Sequence, residues 1–312
     1  MSDNGGGVTL AAWPGHHGVG NLGEDGPMPP WRTPVWPTEL ELQSDVGPSD
    51  WILPQLLPTV ISGGDGTPVG GIVPMGFPAY VRVLHPAGTG GREPPVRWRE
   101  MAAANGRTYH PLMQWEQIRE PDPEALGLGR ISDPSTGTLE PEQCQVLYAA
   151  LEGWTSTPGA CWIGIWSGFG SLYAPSGRSA SIARFQRPGH DEERADAELD
   201  ALVASWEEAA EAVKRAPGFH HPGREYLLAK GPCSAICLLG EPPLHVTPSL
   251  VWPEDHAWVV GSEIDFDSTL VAGSRQCVDA LLREERLETV EVGSDDRLDY
   301  GGDVINPPVE RR

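Results

Sequence analysis

Three strand-like runs follow one another between Glu225 and Phe266, at Glu225–Leu228, Ser234–Leu239 and His256–Phe266, with no helical period between them. Parallel neighbours need a long crossover, usually a helix, whereas antiparallel neighbours need only a turn. Upstream, Val60-Ile61 and Ala79–Leu84 read as strands, the second alternating across two faces and ending at His85-Pro86. Cys161–Trp166 is β-branched and aromatic and is closed by Gly168 and Gly170. Helices are interspersed. In Glu140–Trp154, Pro141 suits the first turn, and Val146, Leu147, Ala150, Leu151 and Trp154 share a face. In Asp191–Ala216, Leu199, Leu202, Val203, Trp206, Ala210 and Val213 recur at helical steps until Pro217-Gly218 stops them. Ser274 caps a last helix reaching about Glu288, packed by Val278, Leu281 and Leu282. This order predicts an α+β protein: a largely antiparallel sheet with about three flanking helices, and no regular strand–helix alternation.

Residues 1–58 are dense in Gly, Pro and Trp (Trp13, Trp31, Trp36, Trp51) and have no helical period. They are expected to form an irregular N-terminal arm, whose tryptophans gain most by lying on the folded body. Residues 59–312 are expected to form a single α+β domain, with 171–190 and 217–223 as its main loops. Gly18-Val-Gly20-Asn-Leu-Gly23 has the spacing of a dinucleotide fingerprint, but it follows His16-His17 instead of a strand. Pro27, Pro29 and Pro30 bar the helix that should come next.

The formal charge of −22 argues against nucleic acid and anionic lipid as partners. It leaves two readings, a solubilising surface or electrostatic capture of a basic protein partner. No apolar run approaches the roughly 18–20 residues that span a bilayer. The five cysteines are odd in number and widely spaced, with no signal peptide ahead of them, which points to the cytoplasm. Only Cys233 and Cys237 are close in sequence. On a strand they would stand about 13 Å apart, too far for a disulfide, so they read as buried free thiols.

The chemistry-bearing candidates are Glu263, Asp265 and Asp267. On a strand they would share one face, with Ile264 and Phe266 on the other. Three neighbouring carboxylates need a cation, hydrogen-bond donors or water to compensate them. Three arrangements do so: acceptors for Ser268, Thr269, backbone N–H groups or an arginine (Arg82 and Arg275 being available); a divalent-cation site; or a pair of catalytic carboxylates. A histidine-plus-carboxylate metal site would need His256 or His85 folded against Asp265. No nucleophile elbow or phosphate-binding loop occurs. Among the tryptophans, Trp98, Trp115, Trp162, Trp166, Trp252 and Trp258 fall in or beside predicted elements, where they either fill the core or wall a ligand pocket.

The run Ile264-Asp265-Phe266-Asp267-Ser268-Thr269-Leu270-Val271 resembles the first motif of the haloacid-dehalogenase-type phosphatases. The resemblance implies Asp265 as the nucleophile on phosphorus, Asp267 as general acid and base, and Mg²⁺ on the phosphate. The chain departs from the pattern in three ways. Only residues 270–312 follow the motif, no lysine follows Lys230, and Gly261-Ser262-Glu263 interrupts the apolar strand that should precede the nucleophile. A second, longer resemblance rests on several segments in order: Tyr80–Pro86, Asn105-Gly106 with His110-Pro111 and Gln114-Trp115, Cys161–Trp166, Arg224–Leu228, and Trp252 through Ser274. Together these resemble an uncharacterised conserved family of high-GC actinobacteria over about residues 75–306, which implies a single-unit architecture and no activity.

The expectation from sequence is therefore a non-enzymatic binding protein, such as an acidic immunity-type or accessory factor for a basic protein partner. The alternative is a divalent-metal-dependent, phosphatase-like hydrolase using Asp265 and Asp267, with Mg²⁺ or a similar cation held by Glu263, Asp265 and Asp267. No organic cofactor is predicted.

Overall fold

A computed structural model of the chain describes residues 36–57, 66–88, 95–119, 131–173, 204, 207–221, 223–241, 244–299 and 301–306. The predicted strand at Val60-Ile61, the glycine pattern at Gly18–Gly23, and most of the predicted 191–216 helix and 171–190 loop lie outside these residues.

The strands are β1 (Glu41–Leu42), β2 (Ala79–Leu84), β3 (Ala87–Gly88), β4 (Ser132–Pro134), β5 (Cys161–Trp166), β6 (Gly218–His221), β7 (Arg224–Gly231), β8 (Leu250–Pro253), β9 (Trp258–Gly261), β10 (Ser268–Gly273) and β11 (Thr289–Val292). Among the described residues nine of them form one sheet in the order β1-β7-β5-β8-β9-β10-β2-β11, with β6 also on β7, and β3 pairs with β4. Every pairing is antiparallel. Among the described residues the α-helices are α1 (Trp98–Ala104), α2 (Trp115–Arg119), α3 (Pro141–Glu152), α4 (described over 207–215) and α5 (Arg275–Leu282). The α+β class with a mostly antiparallel sheet is thus the observed one, and three of these helices match the expected ones.

The period of two sorts side chains into two cores. Val81, Val83, Ile163, Ile165, Leu227, Ala229, Val251, Val260 and Val271 face α3, α4 and α5. Tyr80, Tyr226, Leu228, Leu250, Trp252, Val259, Leu270 and Ala272 face the other way, under Ile52 and Leu56 of the arm and under Val69, Ile72 and Val73. Because both faces are covered, the strands read in sequence as apolar runs and show little polar alternation. A third cluster, built on Trp98, Met101, Met113 and Ile118, seats α1 and α2 beyond the end of β2.

The described part of the arm is docked. It is irregular apart from β1 and short 3-10 turns, and β1 extends the sheet edge at Lys230 and Ala229. Trp36 donates its indole N–H to the Leu40 carbonyl at 2.6 Å.

Helix α3 buries Cys144, Val146, Leu147, Tyr148 and Leu151, while Trp154, expected on that face, lies past the helix end and is exposed. Ser274 caps α5 by accepting the Cys277 backbone N–H at 3.2 Å. Ser274→Ala is expected to lower stability by about 1 kcal/mol, read as a shifted urea midpoint at unchanged slope. An unchanged midpoint would mean that water replaces the cap.

Four expectations are corrected. Ser234–Leu239 is not a strand but part of a 3-10 helix, Cys233–Gly240, packed on α3. A six-residue apolar run fits a buried helix as well as a strand. The strand expected over His256–Phe266 stops at Gly261. Residues 217–223 are not merely a loop, since β6 forms a hairpin with β7 that turns at Gly223, whose φ of 83° suits glycine. Helices α1 and α2 were not foreseen. Helix α5 also ends at Leu282 instead of running on to Glu288, whose carboxylate caps α1 by accepting the Trp98 and Arg99 backbone N–H groups at 2.7 and 2.8 Å. Among the described residues no helix is long and apolar enough to cross a membrane.

Candidate functional site

Residues 262–267 connect β9 to β10, so Glu263, Asp265 and Asp267 lie in a turn and do not share a strand face. Sequence reading extended the strand across them because Ile264 and Phe266 alternate with the acids. Gly137 helps to make the turn. Its N–H donates to the Phe266 carbonyl at 2.7 Å, its φ is 64°, and a Cβ there would sit 2.4 Å from the Ile264 Cα. Gly137→Ala is therefore expected to cost roughly 1–3 kcal/mol and to shift the amide resonances of 262–267. A variant as stable as the parent would show that the two backbones can separate freely.

The turn splits its acids between two arginines. Arg224, at the start of β7, donates from Nη2 to Glu263 Oε1 at 2.5 Å and to Asp265 Oδ2 at 2.6 Å. The Glu263 side chain is 6% exposed and that of Asp265 63%. Burial raises the Glu263 pKa above the ordinary carboxylate value, and the bond from Arg224 offsets only part of the rise. Asp267 turns toward Arg82 Nη2 at 3.3 Å and is likewise raised by burial, against the pull of that guanidinium.

Arg82 is 1% exposed and joins three segments. Its Nε donates to Ser268 Oγ at 2.9 Å, and its Nη1 donates to the carbonyls of Pro111 and Met113 at 3.1 and 2.9 Å. Its guanidinium lies 5.2 Å from the centre of the Trp98 ring. Next to it, His85 Nδ1 is 2.7 Å from the Ser135 carbonyl, which can only accept, so Nδ1 carries the proton. Nε2 then accepts from Thr269 Oγ1 at 2.9 Å, and Thr269 accepts from Ser262 Oγ at 2.7 Å. Burial pushes the His85 pKa down to about 4. The order serine, threonine, imidazole resembles a proton relay, but all three side chains are buried, and the chain of bonds fastens the root of β10 to β2.

The cleft beside this turn measures about 770 Å³ and is open to solvent. Trp166 and Gly168 from the end of β5, His220 from β6, Arg224 and Glu225 from β7, and Leu53 from the arm line it. Arg224 sits 5.5 Å from the Trp166 ring centre. A Cβ on Gly168 would fall 2.1 Å from that ring, so glycine is what lets the indole lie flat against the backbone. The site can therefore offer an aromatic surface, an ion-paired guanidinium and exposed carboxylates.

The other candidates are committed elsewhere. Arg275 pairs with Asp279 and Glu291, and not with the turn. His256 stacks on Trp51 with ring centres 3.9 Å apart, and His110 binds Asp303 at 2.8 Å. Trp98, Trp252 and Trp258 are fully buried, and Trp115 nearly so; of the expected tryptophan walls, Trp166 alone lines the cleft. Among the described residues no three His, Cys, Asp or Glu side chains are grouped to hold a metal ion. Sequence reasoning missed Arg224 as the counter-charge and missed the cleft itself. The only local hint was an arginine directly after the turn glycine Gly223. The chain matches no known protein family, no curated protein and no solved structure.

Proposed function

We propose that the protein works by binding, and that the Trp166–Arg224 cleft receives a basic segment of a protein partner. The observation that carries this reading is the commitment of the turn's acids: Asp265 is held by Arg224 at 2.6 Å and Asp267 by Arg82 at 3.3 Å. A nucleophilic Asp265 and an acid–base Asp267 would have to break those ion pairs before meeting a phosphate or a cation. Binding through Glu225 and the solvent-exposed side of Asp265 leaves both ion pairs in place. Glu225 lines the cleft, Asp265, 63% exposed, stands beside its Arg224, and the whole chain carries −22. An arginine or lysine from a partner gains both the carboxylates and the Trp166 face. The sequence resemblance to an uncharacterised actinobacterial family adds an expected lineage to this proposal and no mechanism. The five free cysteines favour a reducing compartment such as the cytoplasm.

Titration with an arginine-rich peptide, followed by tryptophan fluorescence, tests the reading. Quenching is expected at low salt, weakening as ionic strength rises and falling several-fold in Glu225→Gln/Asp265→Asn. Equal quenching in parent and variant would refute the cleft as the docking point. The phosphatase-like alternative has its own test: chelator-stripped protein is expected to melt at the same temperature with and without Mg²⁺. A concentration-dependent rise that disappears in Asp265→Asn would restore it.

A further inference from the structure

Outside the cleft, among the described residues, a pair of thiols meets where α3 packs on the 3-10 helix. Cys144 Sγ, on α3, is 2.9 Å from Cys237 Sγ on the 3-10 helix. That separation exceeds a disulfide bond by only about 0.9 Å, so closing the bond needs only a small approach of the two side chains. Access is unequal. Cys144 is buried, whereas Cys237 is half-buried beside Leu238, an exposed residue. Cys161 and Cys233 lie deeper, at 0% and 1% exposure, with Cys233 donating to the Tyr148 carbonyl at 3.5 Å, and Cys277 is buried on α5.

We propose that Cys144 and Cys237 are an oxidative modification site, closing a disulfide between α3 and the 3-10 helix when a peroxide reaches Cys237. The hydrogen bond to Cys237 and burial both raise the pKa of Cys144, so Cys144 keeps its proton while its neighbour reacts. The Cys237 sulfur attacks one peroxide oxygen. An S–O bond forms, the O–O bond breaks, and hydroxide leaves and takes up the Cys237 proton as water. The Cys144 sulfur then attacks the resulting sulfenic sulfur. The S–S bond forms, the S–O bond breaks, and the departing hydroxide carries away the Cys144 proton as a second water. The two thiols together lose two electrons and two protons, and the peroxide is reduced to two waters. Because the pair encloses 93 residues of sequence separation, the bond would tie the helical layer to itself across β5, β6 and β7. Dithiol reductants reverse it.

The test treats the reduced full-length chain with hydrogen peroxide, alkylates the remaining thiols, and maps the peptides by mass. Free thiols are expected to fall from five to three, with one cross-linked peptide pair carrying Cys144 and Cys237, a raised melting temperature, and full reversal by dithiothreitol. In Cys144→Ser the cross-link should vanish and a sulfenic acid should be trapped at Cys237 by dimedone; in Cys237→Ser neither should form. Five intact thiols, a Cys161–Cys233 bond, a bond between chains, or uncoupled over-oxidation of Cys237 would each overturn the proposal. Since the pairing is read on the unmutated chain, a variant that fails to fold leaves the result decisive.

Discussion

Arg82→Met is expected to lower the unfolding free energy by about 3–5 kcal/mol, the range for stripping one member from a buried charge pair. The substitution keeps length and apolar bulk, so the loss comes from what the guanidinium leaves behind. The Asp267 carboxylate loses its counter-charge, and the carbonyls of Pro111 and Met113 and the Ser268 hydroxyl lose a donor. Arg82→Lys should recover only part of the difference, because an ammonium keeps the charge but cannot span four acceptors with a planar fork. Burial also lowers the Arg82 pKa, the mark of a charge held by geometry at a desolvation cost. Urea denaturation of the three proteins checks this. A methionine variant within about 1 kcal/mol of the parent would show that water repairs the gap and that Arg82 does not organise this corner.

His85 should impose a pH dependence on stability. Its pKa is near 6.5 when unfolded and about 4 when folded, lowered first by burial. Above pH 6.5 both states are neutral and the residue adds no pH dependence. As pH falls through that value the unfolded chain takes up a proton that the folded chain refuses, so stability drops until the pH passes below about 4. At about 1.4 kcal/mol per pH unit, that window amounts to roughly 3 kcal/mol. Glu263 and Asp267, whose pKa values are raised by burial, act in the opposite sense: the folded state binds their protons more tightly and gains on acidification near the carboxylate range. The histidine effect is therefore clearest in the upper half of the window. His85→Gln can still donate to Ser135 and accept from Thr269, and its urea midpoint should be flatter between pH 6.5 and about 5. Parallel slopes for variant and parent would remove His85 as the cause.

What could be read in the sequence follows from how local each signal is. The strands Ala79–Leu84 and Cys161–Trp166 were legible to the residue, because β-branched and aromatic residues bounded by Pro or Gly leave few alternatives. The α3 helix and the Ser274 cap were legible because a cap and a 3.6 period lie within a dozen residues. The run Ser234–Leu239 failed for lack of length, since apolar on every side it has no period to read. The acidic turn failed for a different reason. Its alternation is real, but the bend at 262–267 is enforced by Gly137, Arg82 and Arg224, all distant in sequence and none visible from the turn itself. Arg82 could be proposed as a counter-charge, but its choice of Asp267, with Glu263 and Asp265 going to Arg224, depends on strand order, which no local pattern encodes.

That strand order also bears on how the chain is made. Strand β2 leaves the ribosome long before its neighbours in the sheet, β10 and β11, and the Arg82–Ser268 bond spans 186 residues. Strand β1 likewise waits for β7. A nascent chain therefore carries Ala79–Leu84 without its sheet neighbours until β10 and β11 have been synthesised, and truncation before β10 would leave that strand without either neighbour. The segment carrying β2 is thus in need of shielding during translation, and the final zipping of this sheet falls to β10 and β11.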